Sequence, residues 1–268
     1  MLLAHDQPVD GGSVESFQAD GHVCIRRLFD PTEVEDEIAR ITDAGVALAY
    51  DKRPIEERDT YGKAFLQSFN LWRSDPAIAD FVLAPRFAAV AAALLGVAGV
   101  RLYHDQGLFK EPHGGRTPWH QDQFYWPLSS DQTVTVWIPL VDVSEAVGSM
   151  TFVDGSHRMG DLRGREISDA SDEEFGRLIE DGGLSTSTHG ALAVGDVTFH
   201  HGWTIHSAPA NPTDRMRPVM TMIYFADGTR VADAPLTDHE QFDRQMWLGG
   251  AEPGALIDGE ANPLLWPR

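Results

Sequence analysis

The chain has 268 residues, 42% of them hydrophobic, which is enough for a large core and an enclosed pocket. Its 21 basic and 41 acidic side chains give a formal net charge of −20, which argues against nucleic acid or an anionic membrane as a partner. Cys24 is the only cysteine, so an internal disulfide and a cluster of thiolate ligands are both excluded. The opening residues show no signal-peptide pattern, and we expect a cytoplasmic protein without a membrane span that binds a small molecule. The sequence leaves the oligomeric state open.

The part of the chain at about 13–96 reads as helical with one early strand, His22–Leu28. A helix is predicted to begin at Pro31, because Asp30 can cap it and proline suits the first helical position. A second helix is predicted over Pro76–Leu95, which an aspartate precedes and a glycine follows.

From about 100 to 226 the pattern changes to short β-rich segments separated by glycine, proline and other turn residues, which favours a jelly roll. An insertion at 160–190 contains an acidic, amphipathic helix, Asp172–Asp181, and its length is typical of a lid. Residues 227–268 are expected to cover the core, and the whole chain, 1–268, is expected to be one domain. The predicted strands are Val100–Lys110, Trp119–Tyr125, Thr133–Val141, Ser149–Val153, Asp196–His201, Ile205–Ala208 and Pro218–Phe225.

Two potential metal ligands, His120 and Asp122, lie two residues apart in Trp119-His-Gln-Asp. On an extended strand both side chains leave the same face and can converge on one point. A third imidazole would complete two histidines and one carboxylate, the ligand set of non-heme Fe(II) oxygenases. Of His200, His201 and His206 we favour the last, because a strand restarts there, although spacing alone does not exclude the other two.

Two arginines, Arg215 and Arg217, follow the last histidine and are also two residues apart. The planar guanidinium binds a carboxylate through two hydrogen bonds and keeps its charge inside a pocket. In so acidic a chain either arginine could equally hold an acidic neighbour at the surface. Only in combination with the metal ligands do they indicate a site for an acidic cosubstrate.

Four ordered segments carry a resemblance to a known family. They are Phe17–Phe29, Trp119–Asp122, Gly148–His157 and His206–Asn211. Together they resemble the phytanoyl-CoA dioxygenase family of Fe(II)/2-oxoglutarate-dependent oxygenases. The chain departs from the family pattern at Asp154, where proline is usual, and at Ala146-Val147, where an acidic residue and asparagine are usual. None of these positions is a candidate ligand.

The resemblance implies a fold that is mainly β with flanking helices, around a double-stranded β-helix core (a jelly roll, cupin-like). It also implies that Fe(II) is held by His120, Asp122 and His206, with 2-oxoglutarate and O2 as cosubstrates. Arg217 then anchors the distal carboxylate of 2-oxoglutarate, and Arg215 is the alternative. The other side chains expected near the cosubstrate are those of Thr135, Lys110, Gln106, Leu108 and His104.

The expected reaction is the hydroxylation or other oxidation of a C–H bond of a small organic substrate, such as a specialised metabolite, with release of succinate and CO2. Asp122 argues against halogenation, because halogenating relatives lack this carboxylate. Aromatic and sulfur side chains predict a partly apolar substrate site: Phe124, Trp126, Met246 and Trp247. Two alternatives remain from sequence: a zinc-dependent cupin-like hydrolase, since the same ligands suit Zn²⁺, and a catalytically inactive jelly-roll binding protein.

Overall fold

The computed structural model describes residues 2–3, 9–147, 149–162 and 166–267. Gly148, the first residue of the predicted Gly148–His157 segment, lies outside these ranges, as do residues 163–165 of the predicted lid. The helices are α1 (Gly11–Asp20), α2 (Glu35–Ala47), α3 (Pro76–Val82), α4 (Pro85–Leu95), α5 (Asp169–Asp181) and α6 (Asp238–Trp247). The strands are β1 (His22–Ile25), β2 (Leu66–Phe69), β3 (Val100–Lys110), β4 (Thr117–His120), β5 (Thr133–Pro139), β6 (Thr151–Val153), β7 (Thr186–Thr188), β8 (Val197–His201), β9 (His206–Ala208), β10 (Arg217–Ala226) and β11 (Leu264–Trp266).

The helices of the first hundred residues begin and end where their caps dictate. The Asp10 carboxylate accepts a hydrogen bond from the Ser13 backbone at the start of α1, and Gly21, with φ of 81°, ends this helix in the left-handed conformation. The helix expected at Pro31 is a short 3-10 turn with an Asp30 capping box, and the α-helix begins only at Glu35. The predicted start was therefore a few residues early.

The predicted helix Pro76–Leu95 is divided into α3 and α4, because Pro85 starts a new helix and has no backbone N–H to continue the first one. By length and composition this stretch is apolar enough to cross a membrane, with a mean hydropathy of 1.8. In the fold 72% of it is buried, as core helices of this type commonly are. Its Phe81 and Phe87 rings pack 5.4 Å apart in the main hydrophobic cluster.

Two antiparallel sheets form the core of the described part of the chain. The larger has the order β1-β8-β5-β10-β3-β11, with β2 also paired to β3, and the smaller has the order β4-β9-β6-β7. Side chains alternate along β10: Met220 and Met222 pack on the helices, whereas Val219 packs with Trp137 between the sheets. One face of the larger sheet is thus covered by helices, and the other faces the smaller sheet across a cavity.

The main architecture confirms the predicted mainly β fold with flanking helices around a jelly-roll core. Three further local predictions were wrong. The first hundred residues contain a second strand, β2, and the predicted strand Trp119–Tyr125 ends at His120, after which Asp122–Tyr125 form a 3-10 turn. The predicted lid contains α5, as expected, but also a strand, β7, that pairs with β6.

Candidate metal centre and its cavity

Three potential metal ligands meet where the two sheets face each other. One donor atom from each of His120, Asp122 and His206 lies within 4.8 Å of the other two. The Asp122 Oδ1 atom is 3.4 Å from His120 Nε2 and 3.8 Å from His206 Nε2. His120 and His206 are register partners on β4 and β9, so strand pairing itself brings the two imidazoles together.

Backbone carbonyls orient both imidazoles for metal binding. His120 Nδ1 lies 2.8 Å from the Pro118 carbonyl oxygen, and His206 Nδ1 lies 3.0 Å from that of Thr204. These oxygens accept the Nδ1 proton, so each Nε2 presents its lone pair to the common point. Burial, followed by the neighbouring imidazoles, holds the pKa of His206 well below its ordinary value, which keeps this ring neutral.

The carboxylate of Asp122 is held by two further donors. Its Oδ2 accepts hydrogen bonds from Thr135 Oγ1 at 2.8 Å and from His200 Nε2 at 3.1 Å. Burial raises the pKa of Asp122, but the surrounding imidazoles outweigh burial and hold it well below its ordinary value. Thr135, which was predicted beside the cosubstrate carboxylate, lines the cavity and also donates to the metal-site carboxylate.

The backbone around Asp122 remains extended long enough to preserve the predicted geometry. Gln121 has φ of −120° and ψ of 126°, so His120 and Asp122 leave the same side although β4 has ended. The Gln121 side-chain amide donates to the carbonyl oxygens of Trp203, at 2.7 Å, and Gly160, at 3.0 Å. These bonds fix the turn that presents Asp122.

A buried arginine with a lysine beside it lies further along the cavity. Arg217 is 1% exposed, and its register partner on β3, Lys110, is 0% exposed. Burial lowers the pKa of Arg217 to about 9; burial and then the Arg217 charge lower the pKa of Lys110 to about 6. Arg215, the alternative anchor, is exposed. An acidic cosubstrate inside the cavity therefore meets Arg217.

The cavity has a volume of about 430 Å³ and contains the metal-ligand triad and Arg217 in its lining. Of the residues predicted for the cosubstrate and substrate, Gln106, Leu108, Trp126 and Trp247 line it. Two substrate predictions are not supported. Met246 is 50% exposed and Phe124 packs against His239, with ring centroids 4.6 Å apart, and neither side chain lines the cavity.

Sequence reasoning missed several cavity residues. His200 was weighed as a possible ligand, yet its pairing with Asp122 depends on the register between β5 and β8. Tyr61 was missed because it precedes β2, the strand that was not predicted. His104, by contrast, was expected near the cosubstrate and does line the cavity. Asp243 lies on α6. This helix could have been predicted from the sequence, because Thr237 and Glu240 form a capping box at its start.

The unusual Asp154 has a structural partner. Its Oδ1 accepts hydrogen bonds from His22 Nε2 at 3.1 Å and from Ser187 Oγ at 2.6 Å. It therefore links β1 of the larger sheet to β7 of the smaller one beside the metal site.

The donor set fits a metal ion, because two imidazoles and one carboxylate converge on one point and each is fixed by a partner of its own. A jelly roll with this open ligand set and a buried arginine beside it defines the class of non-heme iron oxygenases.

Comparison with known proteins agrees with this class. The phytanoyl-CoA dioxygenase (PhyH) family matches residues 17–219. A relative from Stutzerimonas stutzeri, named as a probable alpha-ketoglutarate-dependent hypophosphite dioxygenase, is 32% identical over 74% of this chain and 72% of its own. The chain belongs to the phytanoyl-CoA dioxygenase family.

Two solved structures are similar over nearly their whole length. The alpha ketoglutarate dependent carbocyclase SnoK from nogalamycin biosynthesis has a TM-score of 0.77 and 26% identity, covering 96% of both chains. The epimerase SnoN, in complex with Fe3+, alpha ketoglutarate and nogalamycin RO, has a TM-score of 0.72 and 28% identity, covering 95% of this chain and 97% of its own. The protein is therefore a 2-oxoglutarate-dependent non-heme iron dioxygenase, and the hydrolase and inactive-binder alternatives find no support here.

Proposed function

We propose that this enzyme hydroxylates or otherwise oxidises a C–H bond of a small organic molecule, with release of succinate and CO2. The observation that carries the proposal is the placement of His120, Asp122 and His206 in one cavity with the buried Arg217. Bound in this triad, Fe(II) supplies open coordination positions and the oxidising chemistry shared with 2-oxoglutarate and O2.

The protein's own part is to hold the reactants in place. Fixed tautomers of His120 and His206 present lone pairs, and Asp122 adds the negative charge that favours a divalent cation. Since His200 and Thr135 occupy Asp122 Oδ2, Oδ1 remains on the side of the imidazoles. Asp122 would occupy the ligand position that halide takes in halogenating relatives, which supports oxidation at carbon over halogenation.

Arg217 would bind the distal carboxylate of 2-oxoglutarate. Trp137 and Phe65 rings lie 5.3 and 5.8 Å from its guanidinium carbon and exclude water from this end of the cavity. A charge-assisted pair is stronger in so dry a site than in water. Lys110, whose side-chain nitrogen donates to the Gly115 carbonyl, would take up a proton when the dianion binds and so add a second positive charge behind it.

An organic substrate fits the remaining space better than hypophosphite, the substrate in the name of the bacterial relative. The whole cavity, about 430 Å³, holds more than 2-oxoglutarate and a small inorganic anion need, and its wall contains the rings of Tyr125, Trp126 and Trp247. Such a wall binds an apolar skeleton and keeps water from the reacting carbon.

The proposal is tested with iron-loaded protein. Anaerobic addition of 2-oxoglutarate should produce a weak visible charge-transfer band, and admission of O2 with a panel of small organic molecules should give succinate together with an oxidised product. Asp122→Ala should abolish both signals, whereas Asp214→Ala, at an exposed position, should retain them. Absence of the band with zinc-dependent hydrolysis, or turnover of hypophosphite alone, would contradict the proposal.

A further inference from the structure

The cavity extends from the metal site in two directions, and strand register shows which residues lie along each. Thr135, which donates to Asp122, pairs with Ile223 on β10, and Arg217 lies six residues before Ile223. Arg217 therefore lies at the end of the first arm, further along β10. Ile223 also pairs with His104 on β3, about 10 Å across the sheet from Thr135 at roughly 4.8 Å per strand. His104 lies along a second arm of the cavity. A cosubstrate bound to Arg217 would not fill this arm, which remains available to the substrate.

A β-bulge shapes this second arm. The register passes from Ile223–His104 to Tyr224–Leu102, so Tyr103 is the extra residue of β3. The bulge brings Tyr103 and His104 close together, with ring centroids 5.0 Å apart, instead of placing them on opposite faces. Bulges re-aim side chains in this way beside binding sites.

Tyr103 holds a buried carboxylate at the end of the arm. Its hydroxyl donates to Asp243 Oδ2 at 2.8 Å, and the side chain of Trp247 makes a second hydrogen bond to Asp243. Asp243 lines the cavity although it is only 9% exposed. Burial raises its pKa to about 7, so a positive charge placed next to it would favour the ionised form.

The described surroundings of Asp243 are aromatic and supply no permanent positive charge. Trp247 lies 4.8 Å from His104 and 5.0 Å from Phe69, ring centroid to centroid. Burial lowers the pKa of His104 to about 4, and its Nδ1 faces the Asp105 carbonyl, which leaves a neutral ring with Nε2 as an acceptor. Rings, a carboxylate and a neutral acceptor together suit an ammonium group.

The charges at the mouth of the cavity also favour a cationic substrate. Asp59 and Glu166 are exposed and line it. Among the described lining residues, the one lysine or arginine is Arg217, at the other end. An anionic substrate would therefore meet carboxylates on entry and again at its binding position, whereas a cation would be attracted at both.

We propose that the substrate is an organic amine whose protonated nitrogen binds Asp243, while one of its C–H bonds is oxidised at the metal site. This inference rests on the proposed function and adds to it the chemical class of the substrate. The apolar skeleton would lie along Trp247 and Phe69, between the metal site and the carboxylate.

Three probes with one ring system and different charges test the preference without turnover. Tryptamine is a cation, N-acetyltryptamine is neutral and indole-3-acetate is an anion. Their dissociation constants are measured by calorimetry on the anaerobic holoenzyme with Fe(II) and 2-oxoglutarate. We expect tryptamine to bind at least about tenfold more tightly than either of the others.

Two variants assign the preference to one residue. Asp243→Asn keeps the side-chain shape and should reduce the preference for tryptamine to less than about threefold. Asp238→Asn, at an exposed position in the first turn of the same helix, should leave it unchanged. The relative affinities of the three probes for the unaltered enzyme already test the proposal. The experiment therefore remains decisive even if the Asp243 variant does not fold.

Other outcomes overturn the inference. Equal or tighter binding of N-acetyltryptamine or indole-3-acetate, no binding of any probe at millimolar concentration, or a preference that persists in the Asp243 variant would each do so. The visible band with 2-oxoglutarate is recorded on the same samples. If the band forms but the amine is not preferred, only this inference fails; if the band is absent, the proposed function fails as well.

Discussion

Replacing Arg217 by glutamine should weaken 2-oxoglutarate binding, and the surroundings of Arg217 set limits on the loss of binding free energy. Loss of one partner from a buried, hydrogen-bonded charge pair costs about 2–5 kcal/mol. Lys110 remains beside the site and, once the Arg217 charge that lowers its pKa is gone, becomes more fully protonated. We therefore expect the lower part of the range, about 2–3 kcal/mol, or a roughly 30- to 150-fold higher dissociation constant.

The measurement is calorimetric titration of anaerobic, iron-loaded protein with 2-oxoglutarate, with iron content and melting temperature recorded to verify that the variant is folded. Arg215→Gln is the matched control, since this residue is two positions away and exposed. Its dissociation constant should stay within about twofold of the original. A change of less than about threefold in the Arg217 variant, or a larger effect at Arg215, would refute the assignment.

Three further predictions concern residues around the site. His200→Gln should weaken iron binding about 10- to 100-fold in a metal competition titration, because Asp122 loses a donor; unchanged affinity would remove His200 from the metal site. Asp154→Ala should lower the free energy of unfolding by about 1–3 kcal/mol in urea, against about 0.5 or less for the exposed control Glu173→Ala. The Lys110 pKa of about 6 should rise when a dianion binds nearby, so binding takes up a proton and 2-oxoglutarate affinity falls as pH rises above about 6. Calorimetry in buffers of different ionisation enthalpy measures this uptake, and its persistence in Lys110→Met would contradict the reasoning.

The metal site could be anticipated because its geometry is encoded over short distances. His120 and Asp122 are separated by one extended residue, Gln121, and a spacing of two places both side chains on one side even where the strand has ended. The favoured third ligand, His206, is the histidine that the structure brings to them. The jelly roll likewise follows from many short strands with turn residues between them.

What could not be anticipated depends on pairing between distant segments. His200 meets Asp122 through the register of β5 and β8, which no local pattern specifies. Thr135 was correctly placed on a strand, but only that register shows that its hydroxyl faces Asp122. Similarly, the alternation of β3 predicts that Tyr103 and His104 point apart, and the bulge reverses this.

The C-terminal segment has a consequence for how this enzyme can diversify. It leaves the larger sheet at the end of β10 and returns as β11, which pairs with β3, so both of its ends are fixed to the framework. Asp243 and Trp247 lie in this segment, whereas the metal ligands and Arg217 lie outside it. If Asp243 and Trp247 bind the substrate as proposed, substitutions there would exchange one substrate for another while the oxidising machinery is inherited unchanged, and residues 227–263 would be the natural unit for transplantation between relatives.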